Sequence, residues 1–269
     1  MKMMMPVMTN EDIEKCFAIR KQCFIIEENT LSAMKKCAGE LIREPAERKF
    51  SELEKALSAE KPSLYFRALL NADLLKQEYP EIYNLIGKTQ PVEYHPEGDA
   101  FEHTMIVTDT VAIISSRPEV RFAALMHDIG KSLTDEALLP HHYGHELSGA
   151  KLVGEIADRM KLPNLWKKCA VFAAYEHMRP KKMKKPSKIH YLIRALENEP
   201  IGPDGFSAII SADNHGEVPD FLKKYDKLLQ IIKNASKNVQ IPEKLKGAQI
   251  GEYLRQLELR ALENEICCD

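Results

Sequence analysis

The sequence predicts an all-α protein, in which a helical domain follows a small helical body region. Most apolar residues recur three and four positions apart, which is the spacing of one face of an α-helix. Glycine is scarce, with 12 in 269 residues, below the usual share of roughly 7%. The hydrophobic content of 44% is normal for a globular chain, and a chain of this length can bury a sizeable core.

Three zones divide the chain. Residues 1–90 are predicted to form helices joined by short breaks, which support a functional site without entering it. Residues 91–235 contain the helices with candidate functional side chains and open with the turn-rich segment from Pro91 to Asp99. Residues 236–269 end in an amphipathic helix, whose apolar face is expected to pack or to self-associate. The leucines of that face are Leu254, Leu257 and Leu262.

The dipeptide His127-Asp128 lies where an apolar helical run ends at Gly130. Neighbouring helical residues point about 100° apart, but an imidazole and a carboxylate can still converge on one cation between them. Further candidate ligands follow the apolar faces of other predicted helices. They are His103, His145, His177 and Asp213.

Each buried polar group without a partner would cost roughly 1–3 kcal/mol, and a charge more. The joint pattern therefore favours a metal cluster. Taken singly, each histidine could equally be a hydrogen-bonded core residue, and each aspartate a helix cap or an ion-pair partner.

The order His, His-Asp, His, His, Asp resembles the HD superfamily of metal-dependent phosphohydrolases. The surrounding residues resemble the HD domain of bacterial CCA-adding enzymes (tRNA nucleotidyltransferases). This resemblance rests on the segments 90–99, 102–104, 121–131 and 143–150. Weaker similarity to the helical body and to the C-terminal element of those enzymes extends it to roughly residues 11–262. The Asp-x-Asp pair of their nucleotidyltransferase head is absent from these 269 residues, so nucleotide addition by this polypeptide alone is not expected.

The resemblance implies hydrolysis of a phosphoester by metal-activated water. One divalent ion would be held by four side chains, which are His103, His127, Asp128 and Asp213. Asp128 would bridge to a second ion held by His145 and His177. Mixed nitrogen and oxygen ligands favour Mn, Fe, Co, Ni or Zn over Mg. The implied activities are phosphatase, 2′-nucleotidase or 2′,3′-cyclic phosphodiesterase, acting on nucleotides or RNA ends.

Catalytic and substrate-binding roles are predicted for residues beside these ligands. Asp128 and Lys131 are candidate catalytic residues, and Lys131, one helical turn beyond Asp128, would also neutralise a substrate phosphate or else be a solvated lysine. His142 would donate a proton and contact substrate. Arg179 is a candidate substrate-binding residue and begins a run of six positive charges up to Lys188. That run would attract anions, or it is a solvated loop.

The competing hypothesis is a non-catalytic RNA-binding module or subunit, whose body helices grip tRNA while a separate chain supplies the head. The net charge of −2 gives no global attraction to nucleic acid, so RNA would be bound by local patches. Hydrolysis of guanosine tetraphosphate alarmones is disfavoured, because Gly130-Lys131 replaces the acidic pair expected after His-Asp.

Cysteine usage and hydropathy predict a cytoplasmic protein. The six cysteines show no C-x-x-C spacing, as in a reducing compartment. No run of about 18 apolar residues is present to cross a membrane. The expected substrate is the phosphate of a nucleotide or an RNA end, with tRNA as a candidate partner, and the oligomeric state is not predicted.

Overall fold

The computed structural model describes Lys35 and residues 44–266, and the elements of this part of the chain are helical. No β-strand occurs among the described residues, where Thr89 and Asp99 form an isolated bridge. The predicted all-α class is confirmed. The predicted 1–90 region is described only in part, and five cysteines lie outside the described residues: Cys16, Cys23, Cys37, Cys267 and Cys268.

The α-helices of residues 44–266 are numbered in chain order. They are α1 Ala46–Ser58, α2 Ser63–Asn71, α3 Leu75–Glu78, α4 Pro80–Tyr83, α5 Ala100–Ile114, α6 Pro118–Met126, α7 His145–Arg159, α8 Asn164–Glu176, α9 Pro186–Asn198, α10 Gly202–Asp213, α11 Asp220–Lys223, α12 Tyr225–Ser236 and α13 Ala248–Ile266. Short 3-10 helices span Ile129–Leu133, Glu136–Leu138 and Pro180–Lys182. None of the described helices is long and apolar enough to cross a membrane.

The chain divides into two units. The first contains the residues up to His177 together with Ala208–Glu217, and the second contains Met178–Ser207 and the residues from Val218 onward. Helix α10 therefore begins in the second unit and ends in the first. The division of the sequence into zones 1–90, 91–235 and 236–269 stays a prediction.

Helix α5 is central to the first unit. It begins where the Asp99 carboxylate accepts hydrogen bonds from the backbone N–H groups of Phe101 and Glu102, at 2.9 and 3.2 Å, as an N-cap does. Ten of its 15 residues are buried, so α5 has almost no solvated face. It packs against α2 and α6, and α8 packs against α6 and α7. This packing brings the inward faces of four helices together.

A close contact joins the 3-10 helix Ile129–Leu133 to α7. A Cβ atom added to Gly130 would lie 2.0 Å from the His145 carbonyl oxygen and 2.7 Å from the Gly149 nitrogen. Such distances are far below van der Waals contact, so no larger residue fits at 130 without a shift of backbone.

The second unit is built on α9, α12 and α13, which pack against one another. A buried pair links two of these helices, because His190 Nε2 lies 2.7 Å from Glu258 Oε2. On the C-terminal helix Leu262 is buried, whereas Leu254 and Leu257 are partly exposed. The apolar face of that helix therefore packs within this unit at least through Leu262.

Candidate metal centre

The four histidines predicted as ligands each occupy a defined helical position. His103 lies in the first turn of α5, and His145 is the first residue of α7, after Gly144 in the left-handed conformation (φ 72°). His127 and His177 cap the C-termini of α6 and α8. All four are buried, as the apolar periodicity predicts. Asp213 is the last residue of α10 and belongs to the same unit.

Four of the candidate ligands form a first group. His103 Nε2 lies 3.1 Å from Asp213 Oδ1 and 3.5 Å from Asp128 Oδ2. His127 Nε2 lies 3.3 Å from Asp128 Oδ2 and 3.6 Å from Asp213 Oδ1. Atoms held 2.0–2.2 Å from one ion, at angles between 90° and the tetrahedral angle, lie about 2.8–3.6 Å apart. The first group therefore has the separations of ligands that share a cation.

The remaining two histidines form a second group with the same aspartate. His145 Nε2 and His177 Nε2 each lie 3.2 Å from Asp128 Oδ1 and 3.3 Å from each other. Asp128 thus presents Oδ2 to the first group and Oδ1 to the second. The structure brings together all six residues that the sequence predicts as ligands.

The Nδ1 contacts of these histidines determine which nitrogen carries the ring proton. His127 Nδ1 lies 2.7 Å from the Ala124 carbonyl oxygen, His145 Nδ1 2.6 Å from that of His142, and His177 Nδ1 3.0 Å from that of Ala174. A carbonyl oxygen can only accept a hydrogen bond, so each Nδ1 is a donor. In the neutral rings Nε2 therefore keeps its lone pair, and Nε2 is the atom turned towards Asp128.

Several atoms at this centre lack a hydrogen bond. His127 Nε2 and both carboxylate oxygens of Asp128 are buried without one, although the Lys131 ammonium makes an ion pair with Asp128 Oδ2. A buried polar atom without a hydrogen bond is costly unless another partner is bound. The neighbouring carboxylates of Glu97 and Asp213 add negative charge, against one nearby ammonium, that of Lys131. The donor set and its charge therefore fit a divalent cation.

Mutual electrostatics keep the carboxylates ionised. Burial alone would raise the pKa of Asp128, but Lys131 and His127 hold it well below its ordinary value. Burial would likewise raise the pKa of Asp213, but the hydrogen bond with His103 and the positive charge of His127 hold it well below its ordinary value. Burial would lower the pKa of His127, but the charges of Asp128 and Asp213 raise it to about 10. The site thus attracts positive charge, whether it is carried by protons or by a metal ion.

Two residues without a predicted role take part in the centre. Glu97 Oε1 lies 2.5 Å from His103 Nδ1 and 3.4 Å from His95 Nδ1. The side-chain oxygen of Gln90 accepts a hydrogen bond from the Lys131 ammonium. Both precede α5 in a turn-rich segment, where helical periodicity carries no information. Only their place in the segment 90–99 marked them.

The candidate catalytic and substrate-binding residues Lys131, His142 and Arg179 have different surroundings. Lys131 is buried, with Nζ 2.5 Å from Asp128 Oδ2. His142 Nδ1 lies 2.8 Å from Thr134 Oγ1 and Nε2 lies 2.9 Å from the Thr89 carbonyl oxygen, so both ring nitrogens have partners. Arg179 belongs to the second unit. The catalytic and substrate-binding roles of these three residues stay predictions.

Comparison with known proteins identifies both parts of the chain. Residues 100–261 match the family model described as "HD domain", and residues 23–85 match that of the "Probable RNA and SrmB- binding site of polymerase A". The Multifunctional CCA protein of Mannheimia succiniciproducens is 40% identical over 161 residues, which cover 57% of this chain and 38% of that protein.

Two further relatives match a longer stretch. The Multifunctional CCA proteins of Acinetobacter baumannii and Methylococcus capsulatus are each 33% identical to this chain, over 250 and 252 residues. These alignments cover 89% of this chain in both cases, and 61% and 59% of the relatives. The chain therefore spans at most about three fifths of the length of the curated relatives it matches. Its resemblance to the body and HD region of CCA proteins is confirmed. Because the HD match covers more than half of its residues and contains the whole His and Asp cluster, the chain belongs to the HD domain family.

Proposed function

We propose that this protein is a metal-dependent phosphohydrolase, which cleaves phosphomonoesters or 2′,3′-cyclic phosphodiesters of nucleotides or RNA ends. The observation that carries the proposal is the convergence of two ligand groups on one carboxylate, Asp128. His103, His127, Asp128 and Asp213 would hold one divalent ion. Asp128, His145 and His177 would hold a second. The nitrogen and oxygen donors favour Mn, Fe, Co, Ni or Zn over Mg.

The side chains around the ions have distinct tasks in this proposal. Bound divalent ions would lower the pKa of a water molecule and stabilise the charge that develops on a phosphoester. The Nδ1–H bonds to main-chain carbonyls hold His127, His145 and His177 in the orientation that presents Nε2. Lys131, with its positive charge beside Asp128, would contact a substrate phosphate. His142 would donate a proton to the leaving oxygen, which requires it to exchange its present hydrogen bond to Thr89.

A second candidate function is binding of RNA without catalysis. It is favoured by the match of residues 23–85 to an RNA-binding family model and by the relatives named CCA proteins. In that case tRNA would be the partner, and the metal centre would serve stability. Arg179 and the basic run after it would contact phosphates under either hypothesis.

Turnover by the purified protein separates the two functions. We expect hydrolysis of 2′,3′-cyclic AMP or of an aryl phosphate when Mn or Ni is added, and a rise in Tm because the ion binds the folded state. Asp128→Ala should abolish turnover. Asp109→Asn is the control, because the Asp109 carboxylate is not a candidate ligand and accepts hydrogen bonds from the backbone N–H and the hydroxyl of Ser63, at 2.9 and 2.6 Å. No turnover together with tight tRNA binding would favour the RNA-binding module.

A further inference from the structure

We propose that Glu97 is a positioning residue, which fixes the ring of His103 so that its Nε2 lone pair faces the first ion site. This inference rests on the proposed function, because it assumes an ion at the first group. Glu97 Oε1 and His103 Nδ1 lie 2.5 Å apart, and both side chains are almost completely buried, with exposures of 2% and 3%. A side chain in so closed a contact has little freedom to turn.

The contact between Glu97 and His103 holds a proton rather than a metal ion. His95, Glu97 and His103 also have ligand atoms within 4.8 Å of one another, close enough to be considered as a metal site. However, two atoms bound 2.0–2.2 Å from one ion at a right angle or more lie at least about 2.8 Å apart. The separation of Glu97 Oε1 and His103 Nδ1 is shorter than that, and the contact is a short hydrogen bond between the ring nitrogen and the carboxylate.

His103 needs a side-chain partner because its own helix offers none. His127 and His177 stand at helix C-termini, where Nδ1–H reaches carbonyl oxygens of the last turn three residues back, at Ala124 and Ala174. His103 lies instead in the first turn of α5. There the backbone N–H of His103 donates to the Asp99 carbonyl oxygen. The carbonyl oxygen three residues back, at Ala100, accepts a hydrogen bond from the Thr104 hydroxyl at 2.8 Å. Glu97 supplies the acceptor that the helix lacks.

The Glu97 carboxylate also differs in charge from the main-chain carbonyl groups that bind the other histidines. Its full negative charge makes the opposite nitrogen, Nε2, a more basic ligand, as in the carboxylate–histidine–metal arrangements of other metalloproteins. Loss of such a partner typically weakens metal binding 10–100-fold. Glu97 would therefore set the affinity of the first site, and it would leave the second site, which it does not contact through His145 or His177, unchanged.

Metal titration of three variants tests the role of Glu97. The dissociation constants and the stoichiometry for Mn and Zn are measured by competition with a chromogenic chelator. We expect Glu97→Ala to weaken one of the two sites roughly 10–100-fold. Glu97→Gln should weaken it less than tenfold, because the amide oxygen accepts the same hydrogen bond. Glu102→Gln is the matched control, because Glu102 adjoins His103 in sequence and pairs with Arg67 at 2.9 and 2.6 Å. Its affinity for metal should be that of the wild type.

The possible results are distinguishable. Wild-type affinity at both sites in Glu97→Ala would overturn the positioning role and leave the proposed function intact. Loss of a third equivalent of metal in Glu97→Ala, with the other two unchanged, would show that Glu97 is a ligand of its own ion and would also overturn it. A wild-type protein that binds no metal would overturn the proposed function and the role of Glu97 together.

A spectroscopic measurement on the wild-type protein serves if Glu97→Ala does not fold. With ¹¹³Cd bound and the histidines labelled with ¹⁵N, coupling to cadmium identifies the coordinating nitrogen. The proposal requires that His103 couples through Nε2 while Nδ1 carries a proton. Coupling through Nδ1 would contradict it.

Discussion

Asp128 differs from the other candidate ligands because each of its two oxygens faces a different group. Oδ2 lies 3.5 and 3.3 Å from the Nε2 atoms of His103 and His127. Oδ1 lies 3.2 Å from those of His145 and His177. A substitution at 128 therefore affects both groups, whereas a substitution at 213 or 177 affects one.

We expect three alanine variants to separate the two ion sites. Asp128→Ala should lower metal content at both sites and abolish hydrolysis. Asp213→Ala should empty the first site and leave the second occupied, and His177→Ala should do the reverse. Elemental analysis and the rate of hydrolysis are the measurements. Wild-type metal content and activity in Asp128→Ala would contradict the whole centre.

Lys131 provides a second test at the residue scale. Its ammonium lies 2.5 Å from Asp128 Oδ2, where it repels any cation that Asp128 binds. Lys131→Met should therefore bind metal as tightly as the wild type or more tightly, while KM for a phosphorylated substrate rises. Lys167→Met, which removes an exposed pair with Asp158, is the control and should change neither quantity. A parallel loss of metal and of folded protein would mean that Lys131 has only a structural role.

The sequence was informative about this centre where its residues lie on helices. Five of the six candidate ligands could be found because each follows an apolar face, which periodicity reveals, and Asp128 could be found because it adjoins His127 where a helical run ends. Glu97 could not be found in this way, because it lies outside the helix that carries His103. Gln90 could not be found either, because its partner Lys131 is 41 residues away in the sequence, and no local pattern indicates such a contact. Whether the six residues bind metal stays a prediction.

At the scale of elements, the contact of the 3-10 helix Ile129–Leu133 with α7 couples two parts of the centre. Gly130 follows Asp128 by two residues, and the atom that its Cβ would strike belongs to His145, a candidate ligand in the second group. Any residue larger than glycine at 130 must therefore displace the start of α7. Such a displacement moves a ligand as well as a helix.

We expect Gly130→Ala to destabilise the protein by more than the ~1–3 kcal/mol typical of an overpacked core, because the contacts at 2.0 and 2.7 Å are with backbone atoms. The second ion site should lose affinity before the first. Thermal unfolding and metal content are the measurements. A Tm equal to that of the wild type would show that α7 shifts freely.

Gly154→Ala is the matched control in the same helix. A Cβ there would meet only the flexible end of Lys167, at 4.0 Å. Because glycine inside a helix is less favourable than alanine by roughly 0.5–1 kcal/mol, this variant should be at least as stable as the wild type.

Long helices could be predicted from the sequence, and short ones could not. Helices such as α5 and α8 have several turns, so their apolar spacing repeats and the all-α class follows from it. The 3-10 helices Ile129–Leu133 and Glu136–Leu138 have five and three residues, fewer than two turns each, and are too short for any period to appear. The steric need for glycine at 130 depends on a helix that begins 15 residues later, so it too required the structure.

For the attraction of anions to the whole molecule, the distribution of charge matters more than the net charge of −2. Residues 178–207 contain seven lysines or arginines and three acidic residues. Lys181, Lys182, Lys184 and Lys185 are exposed, so their charges act on solutes. Charges of this kind raise the rate of encounter with anions and are screened by salt, with a Debye length of about 10 Å at 0.1 M.

We expect replacement of these four lysines by serine to raise KM for a phosphorylated substrate, to weaken its salt dependence and to leave kcat nearly unchanged. Steady-state kinetics at low and moderate ionic strength are the measurement. The control replaces four other exposed lysines by serine, with the same change in net charge: Lys223, Lys237, Lys244 and Lys246. Equal effects in both variants would mean that only total charge matters, and an unchanged KM at low salt would leave the run as a solvated loop.

The path of the chain between the two units has a consequence for proteolysis. The first unit consists of two separate stretches, and the second contributes the segment 178–207 between them. His103 and Asp213 are in contact although 110 residues separate them. A protease that cuts anywhere in 178–207 would therefore leave four histidines and Asp128 on one fragment and Asp213 on the other. No single cleavage yields a fragment that carries the complete first unit without part of the second.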